Sequence, residues 1–211
     1  LGNIYYQGWL PEGEVKAVLF IAHGLAEHGG RYINLVNRMV PLGFAVYAMD
    51  QYGHGKSEGV RVHIKQFSDY IHPLKNFLDM VAEWHSGKKV FLMGHSMGGL
   101  ITRYYLRYGP RDVLDQPEPT ITWAGADSIC RAILIATPNF GAMEALEELI
   151  TGVKYPVVRY EQTLLATNVS LYQMLPREHH QLWIDPDGNR TGLEYMSADF
   201  WRRNQWGPFA P

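Results

Sequence analysis

Val90-Phe91-Leu92-Met93-Gly94-His95-Ser96-Met97-Gly98-Gly99-Leu100 is the stretch that decides the fold. It reads as a buried strand, a tight turn and the start of a helix. Gly94-His95-Ser96-Met97-Gly98 fits G-x-S-x-G, the nucleophile-elbow pattern. In that pattern the serine occupies a sharp, strained turn and its hydroxyl stands clear of the sheet. Gly94 and Gly98 leave room because neither carries a Cβ. The apolar run before the turn has the length and composition of a strand covered on both faces. After it, Met97, Leu100, Ile101, Tyr104, Tyr105 and Tyr108 recur at helical spacing, and Gly109-Pro110 stops the helix. Free N–H groups at that helix start, together with its dipole, favour an oxyanion beside Ser96.

Working back from the elbow, two more strands carry loops. Ala17 to Ala22 is a continuous apolar run that leads directly into His23-Gly24-Leu25-Ala26-Glu27-His28-Gly29-Gly30-Arg31-Tyr32. A glycine-bearing loop in this place can aim a backbone N–H at the elbow. Leu25 is the expected donor and Met97 the second. His23 and His28 read as loop-packing residues that bond the backbone. Phe44 to Asp50 is the next strand, followed by the glycine-rich Gln51 to Gly59. Gly55-Lys56-Ser57 is not a phosphate loop, because Asp50 stands where the Walker pattern needs glycine. His54 and Ser57 read as structural. Ile4 to Leu10 reads as an edge strand. Helices are expected on the stripe Tyr32, Leu35, Val36, Met39 and Val40, and on Tyr70 to Val81, ending at His85-Ser86-Gly87. Strands alternating with helices predict an α/β fold: a mostly parallel sheet with helices on both faces, and its carboxyl-edge loops together.

Composition sets the outer bounds. The chain has 211 residues, 46% hydrophobic and 19% charged. One domain of this size buries roughly 70% of its unfolded surface. A formal net charge of −2 gives no electrostatic case for nucleic acid. Cys130 is the single cysteine, so no internal disulfide and no cysteine zinc site are expected; no metal or organic cofactor is implied. No apolar run is long enough to span a bilayer. The opening Leu1-Gly2-Asn3 shows no leader pattern, and a cytoplasmic location is the expectation.

His23-Gly24-x-x-Glu27-His28-x-Gly30-Arg31-Tyr32, Asp50-x-x-Gly53-His54-Gly55-x-Ser57-Glu58-Gly59 and Gly94-His95-Ser96-Met97-Gly98-Gly99 occur in that order. Together they resemble the monoacylglycerol lipase and lysophospholipase branch of the α/β-hydrolases. The resemblance covers roughly the first 105 residues. It implies a serine carboxylesterase acting on small acyl or lipid esters, with Ser96 as nucleophile and the N–H groups of Leu25 and Met97 as oxyanion donors.

The second half reads differently. Arg111 to Ala126 is a polar, proline-bearing loop, and Arg131 to Ala142 is a strand leading into a turn. Met143, Leu146, Leu149 and Ile150 stripe a short helix that stops at Gly152. Ser170-Leu171-Tyr172-Gln173 fits a capping box, cut off by Pro176. Asp185-Pro186-Asp187-Gly188 predicts a hairpin between Gln181–Ile184 and Thr191–Met196. The Ala136-Thr137-Pro138-Asn139-x-Gly141 and Tyr172-Gln173-x-Leu175-Pro176 runs resemble bacterial hydrolases related to lecithin:cholesterol acyltransferase. The expected organisation is one domain over 1–211: a core over 1–139, cap-like helices over about 140–180, and a hairpin and aromatic tail over 181–211.

A serine nucleophile needs a base, and the base an orienting acid. His179 and His180 are the only histidines after Ser96. Each stands as a candidate base, and a surface or lid pair is the alternative. Asp112, Asp115 and Asp127 precede them; Asp127 and Asn139 are the candidate orienting residues, although Asp127-Ser128 also reads as a turn before a strand. No pair of clean strands follows Ile135, so a shortened fold is expected. An acyltransferase on the same site, a binding module without a base, and a subunit completed by another chain remain the rival readings. The aromatic residues from Phe200 to Phe209 need cover, from the fold, from another chain such as a homo-oligomer partner, or from sequence absent here.

Overall fold

The computed structural model describes residues 2–154, 159–167, 171–172, 174–177, 183–184, 186–192 and 194–210. The chain forms two compact units, 2–137 and 138–210.

The first unit is built on a five-stranded sheet. Its strands are β1 (Tyr6–Trp9), β2 (Ala17–Ala22), β3 (Phe44–Met49), β4 (Lys89–His95) and β5 (Arg131–Ile135), in the order β1-β3-β2-β4-β5. β1 pairs antiparallel with β3, and every other pairing is parallel. β2 is buried along its whole length, as its unbroken apolar run predicts. Side chains alternate across it. Leu19 and Ile21 join Val46, Ala48 and Met93 in a core with Val36 of α1 (Ile33–Met39). On the other side Phe20 meets Phe77 of α2 (Ser68–Trp84), with ring centroids 5.2 Å apart, and Tyr47 meets the same ring. α3 (Met97–Tyr108) follows the elbow. Gly109 ends it, with φ 61° and its N–H on Tyr105 O at 2.7 Å.

Register places the site. Ala22 pairs with both Met49 and Gly94, and His95 with Ile135. The loops that leave β2 and β3 and the turn after β4 therefore share the carboxyl edge, as the alternation predicts. β5 is the strand expected before the turn at Ala142; among the described residues it lies at the margin of this sheet, and all five of its residues are exposed.

In the second unit α4 (Met143–Thr151) buries Ala145, Leu146 and Leu149 and stops at Gly152. Two-residue ribbons follow: β6 (Val153–Lys154) with β7 (Arg159–Tyr160), and β8 (Trp183–Ile184) with β9 (Arg190–Thr191). α5 covers Gln162–Leu165. The second ribbon matches the expected hairpin in place, but its return strand ends at Thr191 and Tyr195–Met196 forms a turn. Leu171 and Tyr172 are helical, whereas Ser170 and Gln173 of the expected capping box lie outside the described residues. The aromatic tail is a helix, α6 (Ala198–Asn204). Trp201 is buried there with its Nε1–H on Tyr195 O, and its ring meets Trp206 edge-on. Part of the cover those aromatic residues need thus comes from within this unit.

Candidate active site

The turn at Ser96 has the strain that the motif requires. Its φ is 51° and its ψ −124°, a region that non-glycine residues rarely occupy. Such a conformation costs on the order of 1–3 kcal/mol and persists only where the surroundings enforce it. Here Ser96 N–H donates to Ile135 O at 2.9 Å, and Ser96 O accepts from Gly99 N–H at 2.9 Å. The glycines allow close approach. A Cβ on Gly98 would lie 2.1 Å from Ala22 O and 2.5 Å from His23 O. A Cβ on Gly94 would lie 2.5 Å from Gly99 Cα. α3 therefore starts hard against the ends of β2 and β4.

Ser96 itself is half-buried. Within residues 2–137 no hydrogen bond reaches its Oγ, and the N–H groups of Leu25 and Met97 have no acceptor. Met97 N–H is free because it opens α3, where the first four N–H groups lack helical partners. The 23–32 loop packs directly against the serine: a Cβ on Gly24 would stand 3.0 Å from Ser96 Cβ.

Four groups hold this loop. His23 is fully buried; its Nδ1–H donates to Gly24 O at 2.8 Å and its Nε2 accepts Gln51 N–H at 2.8 Å. Burial drives its pKa down to about 4, against the opposing pull of the Gly24 bond, so the ring is neutral at pH 7. Asp50, at the end of β3, accepts Gly29 N–H at 2.7 Å and Lys56 N–H at 2.8 Å, tying two loops together. Ser57 donates to Asp50 O and accepts Tyr5 N–H at 2.8 Å, a structural role as expected. Glu27 is the fourth and the least anticipated. It accepts Gly24 N–H, Tyr32 Oη–H and His95 Nδ1–H, and pairs with Arg31. Sequence reading placed Glu27 in a motif but gave it no role. Its place in the loop directly after β2, four residues before Arg31, was the available signal. His54 is buried, with its Nδ1–H on Tyr52 O, and His28 is exposed.

A cavity of about 320 Å³ opens on the β1 side, lined by Tyr5, His28, Asp50 and Lys56 among others and by no elbow residue. The remaining candidates do not gather at Ser96 within the first unit. Asp127 is exposed in the turn before β5. Asn139 is exposed and belongs to the second unit. His179 and His180 lie outside the described residues. Among the described residues there is no cluster of metal-ligating side chains, and no helix is long and apolar enough to cross a membrane.

Comparison with known proteins accords with this geometry. The family profile described as serine aminopeptidase, S33, matches residues 13–137, more than half of the chain. The monoacylglycerol lipase of Mycolicibacterium smegmatis is 38% identical over 107 residues, which is 50% of this chain and 38% of that protein. The monoglyceride lipase of Rattus norvegicus is 38% identical over 179 residues, 82% of this chain and 56% of the relative. The chain thus spans well under two thirds of the length of these relatives. Among solved structures, the monoacylglycerol lipase of Paleococcus ferrophilus superposes with a TM-score of 0.54 at 22% identity, covering 81% of this chain and 70% of that one. That likeness speaks for the fold. The family match ends at Thr137, before most of the residues that resemble the acyltransferase-related hydrolases. With a mostly parallel sheet, a strained serine after β4 and a family match over residues 13–137, the chain belongs to the serine aminopeptidase S33 family of α/β-hydrolases.

Proposed function

We propose that the chain is a serine ester hydrolase of monoacylglycerol-lipase type, with Ser96 as nucleophile. The observation that carries the reading is the backbone of Ser96, held at φ 51° at the start of α3 with the loop at Gly24 packed against it, while within residues 2–137 the N–H groups of Leu25 and Met97 have no acceptor. The reaction follows from general acyl-transfer chemistry. Ser96 Oγ attacks the ester carbonyl carbon as a base takes its proton. The carbonyl oxygen becomes an oxyanion, held by the N–H groups of Leu25 and Met97. Collapse breaks the bond to the leaving alcohol, which receives the proton, and leaves an acyl-serine. Water, activated by the same base, then releases the acid. His179 or His180 is the base in this reading, oriented by Asp127 or Asn139, and residues about 140–180 cap the acyl pocket. The relatives named as monoacylglycerol lipases support a lipid ester as substrate.

A second reading is favoured by one observation: within residues 2–137 nothing reaches Ser96 Oγ. An elbow without a base binds esters and barely turns them over. In a well-studied protease, loss of the serine or histidine costs on the order of a million-fold, and the oxyanion hole and binding alone leave roughly 10³–10⁴ over water. The test is labelling of the 211-residue chain by a fluorophosphonate probe, read by intact mass beside Ser96→Ala. Rapid single labelling that vanishes in the variant is expected. A folded sample that takes no label overturns the esterase reading and leaves the base-less core. Transfer to a competing alcohol, seen in the products, would identify an acyltransferase on the same site.

A further inference from the structure

Oxyanion donors work only if their separation is fixed before the charge develops. Leu25 and Met97 stand on different elements, a loop after β2 and the start of α3. No backbone hydrogen bond joins the Leu25–Glu27 turn to the elbow. Ala26, next to Leu25, has φ 55°, a left-handed conformation that an alanine does not hold unaided.

One carboxylate spans this gap. Glu27 Oε2 accepts Gly24 N–H at 3.1 Å, which closes the turn around Leu25. The same oxygen accepts Tyr32 Oη–H at 2.8 Å and His95 Nδ1–H at 3.1 Å. His95 is the residue before Ser96, so this bond reaches the elbow itself. Oε1 is held by Arg31 at 2.9 Å. Burial alone would raise the Glu27 carboxyl, but the bonds from Tyr32, Gly24 and His95 outweigh it and hold the group ionised at pH 7. An ionised carboxylate only accepts, so His95 must carry its proton on Nδ1. The side chain is 13% exposed, little enough for its bonds to escape most solvent screening.

We propose that Glu27 is the positioning residue of the oxyanion site: its carboxylate joins the turn that bears Leu25 to the strand end that bears Ser96, and so sets the distance between the two donors. This rests on the reading of Leu25 and Met97 as donors. Glu27 touches no substrate. Glutamine keeps one oxygen for the three donors and loses only the Arg31 pair, whereas alanine releases all four partners.

The experiment uses the whole chain and two readouts. Labelling by a fluorophosphonate is resolved into probe affinity and the rate constant for inactivation. Amide exchange is followed in the segment holding Gly24 and Leu25. Glu27→Ala should slow inactivation at least about tenfold with affinity held within about twofold, since removing one oxyanion donor costs about 10²–10³. Its Gly24 amide, which loses its acceptor, should exchange faster. Glu27→Gln should recover both readouts to within about threefold of the parent. If Glu27→Ala does not fold, Glu27→Asp, one methylene too short, carries the same expectation. Inactivation and exchange unchanged in the alanine variant would overturn the proposal, as would a glutamine variant as impaired as alanine. If the parent chain takes no label, the nucleophile reading has failed, and exchange alone decides: faster in alanine and preserved in glutamine upholds the clamp, no change refutes it.

Discussion

His23 stands beside the elbow loop, and its chemistry is that of a buried neutral base. Both ring nitrogens are spent on backbone partners, Gly24 O and Gln51 N–H. It cannot take a proton without losing the Gln51 bond and burying a charge. Its folded pKa of about 4 lies below the ordinary 6.5. Between those values the unfolded chain binds a proton that the folded chain refuses. Stability from this group is therefore complete above about pH 6.5, falls as pH drops toward 4, and is flat below. A shift of this size corresponds to about 3 kcal/mol. His54, buried and shifted down mainly by desolvation, adds in the same direction. Urea unfolding at pH 7.5, 5.5 and 4.5 should show a loss on acidification, and His23→Gln should remove about 2.5 kcal/mol of that loss while keeping an acceptor for Gln51 N–H. An equal acid loss in parent and variant would contradict the assignment.

The elbow shows what an element demands of its residues. Gly98 sits in the first turn of α3 at an ordinary negative φ, so conformational freedom does not explain it. Close approach does: two backbone carbonyls of the β2 end, Ala22 O and His23 O, occupy the space a Cβ would need. Backbone cannot step aside as a long side chain can. Gly98→Ala should cost about 3 kcal/mol, the upper part of the overpacking range, because helix and strand must part. Gly13→Ala is the control: it has open space around it and should stay within about 0.5 kcal/mol. Thermal or urea unfolding of the two variants checks this directly. Equal stability in both would mean that α3 and β2 are not held as closely as the 2.1 Å approach implies.

At the scale of the molecule, patterns local to one element were legible and pairings between distant ones were not. The apolar run Ala17–Ala22 announced a strand covered on both faces, and β2 is central. Strand, serine turn and helix followed from Val90 to Tyr108 by an apolar run, the G-x-S-x-G motif and helical spacing. Glu27 was hidden because its partners His95 and Gly24 meet only in the folded sheet edge. α6 was hidden because the Phe200-Trp201 pair is followed by Arg202, Arg203 and Asn204, with no repeating stripe. β5 was legible as a strand but its place in the sheet was not: Ala132-Ile133-Leu134-Ile135 is as apolar as β2, and composition does not report how many neighbours a strand has. The consequence is physical. β5 pairs on one side with β4, and among the described residues no strand pairs with its outer edge. Ile133 and Ile135 point to one face and Leu134 to the other, at 41%, 44% and 40% exposure. An apolar strand open at its edge and on both faces is a template for pairing with another chain. Sedimentation velocity should show association that grows between about 1 and 100 μM, the range in which exposed strand edges drive it. Ile133→Lys should suppress that association at a stability cost below about 1 kcal/mol, because the half-exposed site lets the ammonium reach water. A parent chain whose sedimentation does not change with concentration would show that this edge does not recruit a second copy, and would leave the apolar character of β5 without a consequence in solution.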